Sequence, residues 1–215
     1  MRDFPIFTTE FGIASLVLKE IPYQKTAYIT LRDSLEPERL LQECVEFCRL
    51  CGAEAVYATG NEMLKTYPLY TAMWLMRCDA ASLPETDAAL FPVQAKTLNE
   101  WREIYNNKVK HVPNGAWMTE KDGEEMLGNG DGYFVHRNGE LLGIGKVSGN
   151  VIDWVASVQS GAGWDVVCAL AYAAGGEVLE LTVASENQKA VRLYESLGFY
   201  RAKEISRWYN VYKKE

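Results

Sequence analysis

The stretch Val178–Phe199, VLELTVASENQKAVRLYESLGF, carries a strand, the start of a helix and the end of that helix. Val178, Leu179, Leu181 and Val183 form a short β-prone run that is apolar on one side, while Glu180 and Thr182 alternate onto the other. Ser185 with Gln188 three residues on reads as a capping box, and Asn187 competes for the same cap, so a helix is expected to begin here. Ala190, Val191, Tyr194 and Leu197 then recur at helical spacing, and Gly198 supplies the left-handed residue that stops the helix. Phe199 opens a further strand.

Upstream, GYFVHR (132–137), NGELLGIGKVSG (138–149) and NVIDWVASV (150–158) read as a meander, with Asn138-Gly139 and Gly149-Asn150 as turns. Strict alternation in the third strand puts Val151, Asp153, Val155 and Ser157 on one face. A helix from Trp164 to Ala174 ends at Gly175-Gly176, and FYRAKEISRWYNVYK (199–213) alternates as a last strand with a bend near Ser206. The first part of the chain has a similar order. Residues 13–33 give two strands joined by a turn around Pro22-Tyr23-Gln24, a helix follows over Leu35–Leu50, and AEAVYATG (53–60) and YTAMWLMRC (70–78) are strands. Paired strands, a helix and a strand thus occur twice, which reads as a degenerate internal repeat. Between the copies, residues 80–92 (AASLPETDAALFP) have the composition of a linker.

A chain of 215 residues, 48% hydrophobic and 12% aromatic, can bury a sizeable core. Its formal charge of -7 argues against nucleic acid or an anionic membrane surface as partner and is compatible with a cationic amine. No window reaches the roughly 20 apolar residues of a membrane span, and Met1-Arg2-Asp3 does not begin a signal peptide, so a cytoplasmic location is expected. Five cysteines fit reduced thiols. Cys44, Cys48 and Cys51 share one helical face, and the C-x-x-C of Cys48 and Cys51 lies at a helix C-terminus, where the dipole disfavours a thiolate; core packing is therefore expected. With two histidines and no second cysteine pair, no metal site is expected.

Leu181, Val183, Asn187, Ala190, Leu193, Tyr194, Leu197, Gly198 and Phe199 fall on L-x-V-x-x-x-N-x-x-A-x-x-L-Y-x-x-L-G-F, which resembles the fifth strand and following helix of the GNAT N-acetyltransferase superfamily. FPVQAK resembles the first strand of that domain, and LNEWREIYNNKVK and TEKDGEEMLGNG resemble the two helices before its meander. The resemblance implies an α+β fold: a central mixed, mostly antiparallel sheet flanked by helices, preceded by a partial GNAT-like half. Residues 91–215 would be the transferase domain, 81–90 a linker, and 1–80 a partial copy that lacks its opening strand and helices and holds no CoA.

The implied activity is transfer of an acetyl group from acetyl-CoA, as co-substrate, to a primary amine of a small molecule or peptide, directly in a ternary complex. The family's pyrophosphate loop, Q/R-x-x-G-x-G/A, corresponds to Val158-Gln159-Ser160-Gly161-Ala162-Gly163, where glycines and a helix N-terminus favour an anion. Val158 departs from the pattern unless Gln159 takes its role, Asp165 would repel a phosphate, and no Lys or Arg lies between Lys146 and Lys189. The pantetheine arm would run along Trp154, Val155 and Ala156, in a crevice where two neighbouring strands part. Asn187 resembles the asparagine that holds the cofactor arm or a water, and is equally well placed as an N-cap. Tyr194 resembles the tyrosine that protonates the departing thiolate. Asp153 and Glu180 are alternative bases, and either reads equally as a solvated acid. Trp117, Trp208 and Tyr209 are candidates for an acceptor pocket or for plain packing. A catalytically inactive binding or dimerising module is the competing reading, and a homodimer is compatible with the sequence.

Overall fold

The computed structural model describes residues 5–214, and its internal contacts divide the chain into two compact units. One holds the described residues through Ala72 together with those from Ile205, and the other holds Met73–Glu204. In the first unit β1 (Ile6–Thr9), β2 (Gly12–Val17) and β3 (Thr26–Ser34) are antiparallel neighbours, with a short helix α1 (Ile21–Gln24) where a turn was expected. Helix α2 (Pro37–Leu50) follows, and β4 (Ala55–Thr59) then lies parallel to β3 through five pairs, from Thr26↔Ala55 to Thr30↔Thr59. The apolar stripe of α2 buries Leu40, Leu41, Cys44 and Cys48 against Ile29, Leu31, Val56 and Ala58. Burial pushes the thiols of Cys44 and Cys48 each up to about 12, so they remain neutral packing groups. Cys51, expected on the same stripe, is exposed at the helix end.

The second unit is built from β5 (Leu69–Asp79), whose residues from Met73 belong here, β6 (Ala89–Pro92), α3 (Leu98–Val109), α4 (Glu120–Asn129), β7 (Gly132–Arg137), β8 (Glu140–Ser148), β9 (Val151–Ser157), α5 (Gly163–Ala173), β10 (Val178–Ala184), α6 (Gln188–Ser196) and β11 (Tyr200–Lys213) up to Glu204. Its strands lie in the order β5-β10-β9-β8-β7-β6, antiparallel except for β9 with β10. Helices α5 and α6 cover one face, packing Val166, Val167, Leu170, Val191 and Tyr194 on Met76, Ile152, Leu179, Leu181 and Val183. Trp101, Tyr105 and Met126 of α3 and α4 cover the other, against Phe134, Ile144 and Trp154. The mixed, mostly antiparallel sheet flanked by helices is therefore the architecture that the sequence resemblance implies.

Two glycines let α5 approach β8. A methyl group built on Gly145 would stand 2.2 Å from Leu170 Cδ1, and one on Gly143 would stand 2.4 Å from Ala156 O and 2.7 Å from Val166 Cγ2. Gly145→Ala is accordingly expected to cost about 1–3 kcal/mol by overpacking; a denaturation midpoint equal to the parent's would show that the helix is not seated on this strand.

The strand that follows each parallel pair is exchanged between the copies. Met73–Asp79 of β5, which comes after β4, pairs with β10, and Tyr209–Lys213 of β11, which comes after β10, pairs with β4. The unit boundaries consequently fall inside β5 and β11, and β11 runs unbroken past Ser206, where a bend was expected. Residues 81–90 are not bare linker: Leu83, Ala88 and Leu90 pack on the core of the second unit, and Ala89 and Leu90 already belong to β6.

Candidate functional site

Strands β9 and β10 part almost as soon as they meet. Their parallel ladder has two pairs, Glu180↔Val151 and Leu181↔Ile152, with the Glu180 N–H donating to Asn150 O at 3.0 Å. Beyond it, Asp153–Ser157 of β9 and Thr182–Ala184 of β10 are not paired with each other. A β-bulge marks the point of divergence. The register of β8 with β9 slips between Lys146↔Trp154 and Val147↔Ile152, which leaves Asp153 as the extra residue. An extra residue bends its strand and increases the local twist, so the bulge carries β9 away from β10. Strands β3 and β4 of the first unit, whose ladder has no such slip, stay paired over five positions.

The bulge also corrects the face assignment drawn from alternation. Ile152 and Val155 pack on the α5–α6 side, whereas Trp154 and Ala156 pack on the α3 side. The Trp154 ring lies 4.2 Å from that of Tyr105, tilted by 47°. Val155 therefore does not share a face with Asp153, whose carboxylate turns to Lys146 and Ser148 of β8. What Trp154, Val155 and Ala156 have in common is a backbone edge that β10 does not pair.

The loop 158–163 leads from the open end of β9 into α5. Gly161 has φ +85° with open space beside it, and Gly163 is close enough to α6 that an added methyl would meet Leu193 Cδ2 at 2.9 Å. No side chain caps α5, and the amides of Gly163, Trp164 and Asp165 donate to no described residue. Unclaimed first-turn amides and the helix dipole together suit an anion. Asp165 does not face this opening with a bare charge: Arg137 forms an ion pair with it and Thr86 Oγ1 donates to it at 3.0 Å. Gln159 donates to Glu140 at 3.3 Å.

Helix α6 starts at Asn187 rather than through a Ser185–Gln188 box. Asn187 Oδ1 accepts the Ala190 N–H at 3.3 Å, and Gln188 Nε2 instead donates to the Ser185 carbonyl at 2.6 Å. The Asn187 side-chain NH2 has no partner among the described residues. Asn187→Ala is expected to cost about 1 kcal/mol from the lost cap, and a weaker hold on acetyl-CoA beyond that loss, read by calorimetric titration, would establish the ligand role. The helix ends in a Schellman turn, with Gly198 at φ +91° and the Phe199 N–H donating to Tyr194 O at 2.9 Å. Tyr194 and Phe199 accordingly lie 5.9 Å apart, ring to ring. Tyr194 is 7% exposed. Its hydroxyl bonds to no described residue, and its ring belongs to the core under α5 and α6. Burial raises the phenol pKa, keeping it protonated.

Both carboxylates singled out as bases are paired. Glu180 faces Arg77 across the β5–β10 ladder, at 2.9 Å from Nε and 2.8 Å from Nη2. Asp153 Oδ2 takes Lys146 Nζ at 2.7 Å and Ser148 Oγ at 2.6 Å, which leaves Oδ1 without a partner among the described residues. Behind them is a residue that no sequence pattern marked: Asp131, just before β7, whose Oδ2 lies 3.2 Å from Lys146 Nζ and 3.1 Å from Ser148 Oγ. The only hint was Lys146 interrupting the apolar run of β8. Burial by itself would lower the Lys146 pKa, but the bonds and charges of Asp153 and Asp131 outweigh it and raise the pKa, so the amine is held as ammonium. Trp208 and Tyr209 lie in the first unit, where Trp208 packs edge-on to Tyr28 at 5.4 Å and Tyr209 joins the core.

A splayed parallel pair with a glycine loop leading into a helix is the arrangement of the GNAT fold, and comparison with solved structures gives the same result. A GNAT-family acetyltransferase from Colwellia psychrerythraea superposes with a TM-score of 0.54 over 95% of this chain and 84% of its own, at 15% identity. A tandem GNAT protein from the clavulanic acid biosynthesis pathway does so with a TM-score of 0.53 over 95% and 80%, at 13% identity. A conserved protein of unknown function from Staphylococcus epidermidis matches with a TM-score of 0.63 over 97% and 93%, also at 13% identity. The chain has a GNAT-like fold. No family model and no curated protein sequence matches it. Among the described residues no helix is long and apolar enough to cross a membrane, and no group of His, Cys, Asp and Glu is placed to hold a metal ion.

Proposed function

We propose that the protein is an acyl-CoA-dependent N-acyltransferase that moves an acetyl group from acetyl-CoA to a primary amine of a small molecule or peptide, by direct transfer in a ternary complex. The observation that carries this reading is the parting of β9 from β10 at the Asp153 bulge, next to a loop whose first-turn amides are unclaimed. An extended pantetheine arm would take the unpaired edge of Trp154, Val155 and Ala156 as an added strand does. Gly161 and Gly163 would offer their unclaimed backbone N–H groups to the pyrophosphate, Gln159 and Ala162, whose own N–H groups donate to Leu142 O and Gln159 O, would complete the loop around it, and the Asn187 amide would lie nearer the thioester. The thioester supplies the acetyl carbonyl. Asp153, through Oδ1, takes one proton from the acceptor ammonium; the free amine attacks the carbonyl, Tyr194 donates a proton to the sulfur as the C–S bond breaks and the N–C bond forms, and the second proton lost from nitrogen returns to the Tyr194 oxygen through solvent.

Asp153 is preferred to Glu180 because it occupies the bulge itself, where the strands separate, whereas Glu180 is doubly bonded to a guanidinium within the closed part of the ladder. The transferase would lie in the second unit, Met73–Glu204, whose bounds differ from the 91–215 expected by sequence. The first unit would be a partial copy without a CoA site, since β3 and β4 stay paired and the segment Arg32-Asp33-Ser34-Leu35-Glu36-Pro37 before α2 is acidic and free of glycine. The negative formal charge of -7 suits a cationic acceptor and gives no support to nucleic-acid or anionic-membrane partners. The test is acetyl-CoA consumption, read as free thiol, across amino acids, polyamines, aminoglycosides and peptide N-termini. If no acceptor is acetylated and acetyl-CoA does not raise the melting temperature, the proposal fails. Stabilisation without turnover would favour the inactive binding module.

A further inference from the structure

On the reading just given, in which Asp153 meets the acceptor ammonium, we infer that Asp131 is the residue on which the acceptor's proton comes to rest, reached from Asp153 through the Ser148 hydroxyl. The three side chains form a continuous chain: Ser148 Oγ lies 2.6 Å from Asp153 Oδ2 and 3.1 Å from Asp131 Oδ2. Lys146 Nζ bridges the same two oxygens at 2.7 and 3.2 Å and also reaches Ser148 Oγ at 3.2 Å, which accounts for all three of its protons.

The charges in this group do not balance. Two carboxylates share one ammonium, the Asp131 side chain is 11% exposed, and its Oδ1 is enclosed with no hydrogen-bond partner. An unpaired carboxylate oxygen away from water is costly, and the excess negative charge at the enclosed Asp131 end of the cluster adds to that cost. Uptake of one proton makes the cluster neutral. Glu180 on β10 and Arg77 on β5 pair with each other and so leave the excess in place.

In the transfer, the amine N–H bond breaks as its proton passes to Asp153. The Asp153 carboxyl then turns to bring its protonated oxygen to Ser148 Oγ and gives up that proton as the hydroxyl releases its own to Asp131, so the hydroxyl ends unchanged and Asp153 is again a carboxylate. Asp131 touches no reacting atom in this scheme. It is a positioning and proton-holding residue, and it frees Asp153 to act while the thiol product leaves.

The experiment compares the full-length protein with its Asp131→Asn, Ser148→Ala and Asp153→Asn variants by infrared difference spectroscopy on acidification, using isotope-labelled aspartate. The carboxylic-acid band formed in the parent should be lost in Asp131→Asn, kept in Ser148→Ala, which leaves both carboxylates in place, and formed only at lower pH in Asp153→Asn, which removes the excess charge. In turnover, Asp131→Asn and Ser148→Ala should each lower kcat about tenfold, as an assisting proton path does, and shift the acidic limb of the kcat profile, with amine KM and acetyl-CoA stabilisation unchanged. A band that survives in Asp131→Asn overturns the inference, as does a parental pH profile in both variants. Ser148→Ala keeps every charge, so it decides the matter even if Asp131→Asn folds poorly. Absence of any acetyl-CoA effect in the parent would remove the transferase reading separately, while the band still reports where the cluster takes its proton.

Discussion

Tyr194→Phe is expected to lower turnover about a hundredfold, the lower end of what a positioned acid contributes, while affinity for acetyl-CoA and thermal stability stay nearly unchanged. The two halves of this expectation come from the two ends of one side chain. The ring is core: it packs against Phe199 beside the Schellman turn and belongs to the apolar cluster under α5 and α6. Phenylalanine keeps that volume and those contacts. The hydroxyl bonds to no described residue, so its removal leaves no orphaned donor or acceptor inside the fold. A tyrosine serving only as packing would therefore tolerate the change with no loss of rate. A phenol beside the leaving sulfur would not, because burial keeps it protonated while Glu180 and Asp153 are carboxylates held by Arg77 and Lys146. Measuring kcat by thiol release together with the melting temperature separates the cases, and an unaltered kcat removes Tyr194 from the chemistry.

Much of this arrangement is legible in the sequence because local rules govern it. Gly198 ends α6, and the apolar spacing of Ala190, Val191, Tyr194 and Leu197 sets the buried side of the helix, since turn chemistry and helical period act within a few residues. The strands and helices from β7 to α6 follow for the same reason. Asn187 was legible as one of two rival caps, and backbone geometry decided in its favour.

What escaped the sequence depends on pairing between distant segments. The bulge at Asp153 arises from a slip against β8, and one unpaired residue reverses the facing of every residue after it, so alternation misplaced Val155 relative to Asp153. Asp131 reaches Asp153 only because β7, β8 and β9 lie side by side. Arg137 lies outside the 146–189 interval in which the loop's missing cation was sought, and it meets Asp165 across α5 and β7. The exchange of β5 and β11 has no sequence signature at all, since either strand could have closed either sheet by pattern alone.

The pairing of Asp165 reverses an expectation about cofactor binding, and two single substitutions test it. In a thermal-shift titration, acetyl-CoA at a hundred times its dissociation constant should stabilise the parent by about 2.7 kcal/mol, a rise of several degrees for a chain of this size. By charge alone Asp165 in the first turn of α5 should oppose this, and Asp165→Asn should then tighten binding. With Arg137 and Thr86 already on that carboxylate, the substitution should leave affinity within about twofold, a few tenths of a kcal/mol, and instead lower the melting temperature of the free protein by breaking a half-buried ion pair. Ser160→Asp should do the opposite. Ser160 is exposed and sits directly before Gly161, so a new carboxylate there stands beside the unclaimed amides with no cation to offset it. A charge several ångströms from a diphosphate in a watery setting opposes it by about 1–2 kcal/mol, so affinity should fall about tenfold with no change in the stability of the free protein. Equal affinity of Ser160→Asp and the parent would place the pyrophosphate elsewhere, and tighter binding by Asp165→Asn would mean that Arg137 leaves Asp165 when the cofactor arrives.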